Sequence, residues 1–301
     1  MEPERPDAEW VEPEKKKKND EYYLEPEPPR RRRWPWFVLG GCLLVCCACL
    51  ILPLVLFGAG SVVVSTIVES SEVTELSTTQ LALEPDATDV TFRIENEVGD
   101  ITITTGAADE IAVEYRKVAR GFSQGQARSY LDDINVRLEE RSDGTIALTT
   151  ERPGGTLSFG RASEVDLTIS VPDDVVFDLV VNGGVGALRV ERGVRVGQID
   201  AQLNVGDIVF NGALDESLSD SRMKVDVGAL RLYVPGDLYA QIDAETGVGN
   251  VTMDATLDTT VREERRDATR QAWRGTVGSG SGTAPVIELR TSVGDIGIYA
   301  E

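Results

Sequence analysis

A Val-Gly pair followed by Asp, Asn or Ala and then by Ile, Leu or Val recurs six times along the chain, at Val98, Val185, Val205, Val227, Val248 and Val293, and the four central copies lie 20, 22 and 21 residues apart. No other feature constrains the fold as tightly, because a fixed period of this length marks a stacked array of short units.

Counted from each Val, positions −6, −4, −2, 0, +3 and +5 form an apolar set, as in Ile199, Ala201, Leu203, Val205, Ile208 and Phe210. Over the six copies only Asn96, Gly183, Ser221, Thr246 and Thr291 break that rule. Period two on both sides of a corner, with the phase shifted by one residue across it, suits two strands that point the same side inward. The corner residue at +1 is always glycine: Gly99, Gly186, Gly206, Gly228, Gly249 and Gly294. A bend with positive φ, or a close approach to the neighbouring unit, accounts for that.

One such unit cannot cover its own apolar face, whereas stacked units can. The expected fold is therefore all-β, a single-chain parallel β-solenoid of about 21 residues per coil, with right-handed coiling as the default for parallel connections. Outward positions agree. Asp200, Arg222 and Asp243 are expected on consecutive coils, as are Gln202, Lys224 and Glu245, so that each cation meets an acid or amide above and below. Pro172 and Pro235 stand 63 residues apart, three coils of 21, where the chain leaves a strand.

Two inserts interrupt the array, near 120–160 and 261–284. In the first, "SQGQARSYLDDI" reads as a short helix capped by Ser123 and "NVRLEERSDGTIALTTE" as a hairpin through "SDG". In the second, "VREERRDATRQAWRG" reads as a solvated helix with Glu-Arg pairs. Its alternative is a partner-contact patch built on Trp273, Arg266 and Arg270. Because the chain stops at Glu301, the last strand is expected to be an open edge, covered by this insert or by another molecule. An envelope protein or a second copy is the expected partner of that end.

The sequence before the array is of another kind. Residues 1–33 are rich in Pro, Glu, Lys and Arg, with basic runs at 15–18 and 30–33, and read as a disordered cytoplasmic tail. Residues 34–68 hold no charge and are dense in aliphatic residues, which predicts one transmembrane helix in contact with the lipid bilayer. The arginines before Trp34 keep the N-terminus inside, so that the protein is a single-pass protein of the cell membrane with its C-terminal part outside. A cleaved signal peptide and a lipoprotein box at "LGGC" are the competing readings. Residues 69–89 serve as linker and first capping strand, and 90–301 as the solenoid. Cys42, Cys46, Cys47 and Cys49 all lie in the span, as packing residues or as sites of acylation or helix pairing.

Residues 69–301 carry 41 acidic and 21 basic residues. That surface repels nucleic acid and anionic polymers, so no nucleic-acid partner is expected. The chain has no His, and no Cys outside the span, which removes the commonest catalytic base, metal ligand and nucleophile. Asp100, Asp207 and Asp295 recur as corner residues. Calcium is the alternative reading, but one Asp per coil, replaced by Ala187, Ala229 and Asn250 elsewhere, supplies too few oxygens. No catalytic residue, metal or cofactor is expected.

"IENEVGDITI", "ISVPDDVVFDLVVNGGVGALRV", "LNVGDIVF", "ETGVGNVTM" and "LRTSVGDIGIYAE" resemble the putative-adhesin family of bacterial envelope proteins, β-solenoid domains of unknown function related to the extracytoplasmic part of Lia-type envelope-stress proteins. The resemblance covers residues 73–301 and implies a fold, with no catalytic residues to carry over. The expected role is a non-enzymatic scaffold, adhesion or stress-signalling module. Two alternatives stand beside it: an enzyme acting on envelope polysaccharide through outward carboxylates, and a working cytoplasmic tail.

Overall fold

The computed structural model describes residues 71–83, 88–107, 109–152, 162–215, 218–267, 270–280 and 283–301. The tail 1–33 and the apolar span 34–68 with its four cysteines lie outside the described residues. Among the described residues no helix is long and apolar enough to cross a membrane.

The described part is nearly all β. In chain order it comprises β1 (Ser71–Ala82), β2 (Asp89–Val98), β3 (Ile101–Thr105), β4 (Glu110–Gly121), helix α1 (Gln124–Asp132), β5 (Asn135–Glu140), β6 (Ile146–Glu151), β7 (Ala162–Val171), β8 (Val176–Val185) and β9 (Leu188–Val190). There follow β10 (Arg195–Val205), β11 (Ile208–Phe210), β12 (Ala213–Leu214), β13 (Ser221–Val227), β14 (Leu230–Val234), β15 (Ala240–Val248) and β16 (Val251–Met253). The chain ends with β17 (Thr259–Arg266), β18 (Gln271–Val277), β19 (Val286–Val293) and β20 (Ile296–Ala300).

Every Val-Gly corner joins a strand of one sheet to a strand of the other. The first sheet runs β1-β4-β7-β3-β9-β11-β14-β20-β16 and the second β17-β18-β15-β19-β13-β10-β8-β2-β6-β5, with β12 on β10. Equivalent residues pair in parallel from unit to unit: Leu203 with Val225, Ile208 with Leu230, and Val205 with Val227. The inward columns form one core, in which Phe92, Phe177 and Phe210 are fully buried.

The order of stacking departs from the order of the sequence. The sixth copy, β19–β20, lies between the fourth and the fifth, because β19 pairs with both β13 and β15. The hairpin β17–β18 follows β15 closely in the chain and takes one of its edges in antiparallel pairing, which leaves the other edge to β19. A similar reversal occurs at the opposite end, where the later pair β6 and β7 packs outside the first copy, β2 and β3. The expected open edge at the last strand is therefore corrected: β20 is interior, flanked by β14 and β16, and β16 ends that sheet.

Both inserts cap the stack. Ser123 Oγ accepts the N–H of Gln126 at the start of α1, and β5 and β6 form the hairpin expected through "SDG". The helix expected over 261–275 is corrected to the hairpin β17–β18. Trp273, Gly275 and Val277 alternate inward there with period two, and burying that row on β15 outweighs the local helix-forming charge pattern.

Candidate functional site

The corner is the most repeated local structure, and its chemistry is internal. All six corner glycines have positive φ, between 127° and 148°. A Cβ at Gly206 would lie 1.7 Å from the carbonyl oxygen of Gly186, and one at Gly228 equally close to that of Gly206. Both reasons for glycine thus act at once. The glycine N–H donates to the Val carbonyl of the next unit, as from Gly206 to Val227 at 2.9 Å.

The corner valines are not inward, which corrects the reading of position 0. Val185, Val205, Val227, Val248 and Val293 are each about half exposed, and they stack in register as an apolar ridge. The bend turns them out of the core before the phase shift restores the inward row. Four of the five exceptions to the apolar rule lie one step further in, at −2. Gly183 leaves room that Leu203 Cδ2 fills. Thr246 and Thr291 donate to the carbonyls of Gly294 and Gly228, and Asn96 to those of Gly99 and Val165, so their burial is matched by hydrogen bonds.

At +2 the stack reads Asp100, Ala187, Asp207, Ala229, Asp295, Asn250. Acid alternates with a neutral residue, so corner carboxylates stand about 9.6 Å apart instead of about 4.8 Å. Each Oδ1 accepts the backbone N–H of the next unit at 2.8 Å: Asp100 from Ala187, Asp207 from Ala229, and Asp295 from Asn250. Arg189 and Arg231, on the neutral units, reach back to Asp100 and Asp207. These carboxylates serve the corner itself, and among the described residues no three acidic side chains converge as a metal site requires.

The outer charge ladder has different neighbours from those expected. Asp200 is in register with Arg222, and Gln202 with Lys224. Beyond them the inserted sixth copy supplies Glu288 and Arg290 before Asp243 and Glu245 are reached. Arg222 therefore meets Glu288 at 3.6 Å, and Asp243 and Glu245 share Arg290 at 3.2 and 3.0 Å. Lys224 pairs with Asp226 at 2.9 Å. The Arg222 and Lys224 pairs are open to solvent and tune register more than stability, whereas Arg290 and its two acids are mostly covered.

At the second end, Trp273 does not present its ring as a contact patch. It is 6% exposed, paired with Ala244, and lies over Gly275. Arg270 turns to Glu245, and Arg266 stays exposed beside Glu264 at 2.5 Å. Trp273 and Arg266 line a cleft of about 510 Å³ that also includes Val251, Met253, Leu257 and Val261. The apolar part of the cleft was missed in the sequence, although the inward parity of Val261 with Gly275 and Val277 was the available signal.

Two acids hold their protons more tightly than usual. Burial, then the neighbouring Asp166, raises Glu164, and burial, then Asp89, raises Asp178. Asp166 is itself held by Arg116 at 2.5 Å and accepts the N–H of Asp100. It continues the corner row by one unit, and there alone in the row two acids are neighbours, with Arg116 on the outer one in place of a neutral spacer.

No family model matches the chain, and no curated protein matches it. Among solved structures, a putative cell adhesion protein from Clostridium sporogenes aligns over 75% of this chain and 100% of its own, with 15% identity and a TM-score of 0.54. A putative adhesin from Bacteroides fragilis aligns over 74% of this chain and 97% of its own at 11% identity, with a TM-score of 0.28, too low to bear on the fold. At these identities the likeness is one of architecture: this chain shares its overall fold with the clostridial protein.

Proposed function

We propose that the chain is a single-pass envelope protein of the putative-adhesin type, whose exported β-solenoid acts as a non-enzymatic scaffold for adhesion or stress signalling. One observation carries the reading. The recurring acids of the corners are held by backbone N–H groups and arginines of neighbouring units, so the repeat builds a rigid surface rather than a reaction centre. The name borne by the clostridial protein of the same fold agrees with an adhesion role. The uncharged span 34–68 behind an arginine run supports anchoring with the N-terminus inside.

Protease added to intact cells tests the topology: it is expected to remove residues 71–301 while the tail stays protected, and a fully protected chain sinks the reading. Deleting the chain is then expected to change surface adherence or the output of an envelope-stress reporter. Hydrolysis of envelope polysaccharide by the purified chain would instead make it an enzyme.

A further inference from the structure

Each end of the stack has one sheet that outruns the other, and the two ends deal with this differently. At the first end, β4 and β1 extend the first sheet, and α1 packs against them with Ala127 and Leu131 buried. At the second end, the second sheet continues past β15 by two strands, β18 and β17, while the first sheet stops at β16. The inward side of β17 carries Thr259, Val261, Glu264 and Arg266, since these pair with Val277, Gly275, Trp273 and Gln271. Val261 is 51% exposed there.

The edge of β16 is available for pairing. Asn250 and Asp254 bond to β20 through O and N respectively, so the polar groups of Val251 and Met253 point to the open side of the strand. Gln271 Oε1 already takes the N–H of Val251 at 3.1 Å, which is how this edge binds a partner group within one molecule. Met253 is the next position along.

We propose that a second copy of this chain fills the notch, the two copies joined about a two-fold axis like a half-lap joint. The overhang is two strands wide and so is the notch, so each copy supplies what the other lacks. β17 of one copy pairs with β16 of its mate, and the first sheet of each runs on into the second sheet of the other. The inward charges are self-complementary: Glu264 and Arg266, partners within one chain, can exchange across the axis. The joint also closes both exposed edges, which a sheet otherwise leaves open to indiscriminate pairing. This deepens the scaffold role proposed above, and it rests on that reading for its biological use alone.

The test uses the full chain in detergent micelles, with Cys42, Cys46, Cys47 and Cys49 replaced by Ala. Sedimentation is expected to show a dimer. Val261→Glu is expected to weaken it at least tenfold with no fall in the thermal midpoint of the dissociated monomer, because Val261 is half exposed in the single copy. Two differently tagged chains, one Met253→Cys and one Val261→Cys, are expected to form a disulfide-linked heterodimer when mixed, whereas a Thr102→Cys chain forms none with either. A monomer at all concentrations overturns the proposal. So does a dimer indifferent to Val261→Glu, which would place the contact in the span, or a monomer whose cleft takes up an extended peptide instead. Because the cross-link reports contact whatever the membrane topology, its failure and that of the anchoring reading are separable.

Discussion

The middle of the stack and its ends are built on opposite principles. In the middle, parallel strands repeat a corner in which glycine φ, carbonyl approach and N–H donation all lock to the next unit, as at Gly186, Gly206 and Gly228. At the ends the strands are antiparallel, the spacing is irregular, and α1 or the hairpin β17–β18 does the covering. The difference teaches that periodicity specifies how units join, whereas stopping the stack takes aperiodic sequence. A small change in the middle is therefore felt by three units, and the same change at an end by one.

Replacing one corner glycine probes that contrast most severely. Gly206→Ala puts a Cβ into the Gly186 carbonyl and holds a non-glycine residue at positive φ, and is expected to cost about 4 kcal/mol or more in chemical denaturation. A mild loss would mean that the units slide past one another. Leu131→Ala, in the helix that covers the first end, is expected to cost about 2–4 kcal/mol by leaving a cavity under α1. Proteolysis should then begin near 120–135 and leave the corners resistant.

The same substitution made at an end sharpens the comparison. Gly144 also has positive φ, but nothing lies within 4 Å of its would-be Cβ, so Gly144→Ala is expected to cost only about 1 kcal/mol. Equal losses at Gly144 and Gly206 would remove the case for inter-unit locking. The smallest effect is a matter of pH. Asp178 binds its proton more tightly in the folded state than in the unfolded one, so its ionised form is a burden above the folded pKa. Asp178→Asn should raise the melting midpoint slightly at pH 7, and the gain should vanish as pH falls below the ordinary carboxylate value of about 3.9.

The unit was legible in the sequence because its signals are local: alternating apolar residues, a glycine at every bend, Ser123 before a helix, "SDG" between strands. The stacking order was not, since copies spaced about 21 residues apart are alike to their neighbours. One clue did exist. Asp100, Ala187, Asp207, Ala229, Asp295 and Asn250 alternate cleanly only when the sixth copy precedes the fifth. The ridge of valines and the burial of Trp273 were misread for one reason: a residue type was judged without knowing which side of a bend or hairpin it occupied.

The interleaved sixth copy has a bearing on synthesis. A growing chain that has emerged only as far as Pro285 holds β13 and β15 but lacks β19, the strand that belongs between them. Assembly from the N-terminus onward cannot finish layer by layer, and the final sixteen residues act as a wedge whose arrival decides when the far half of the molecule becomes whole.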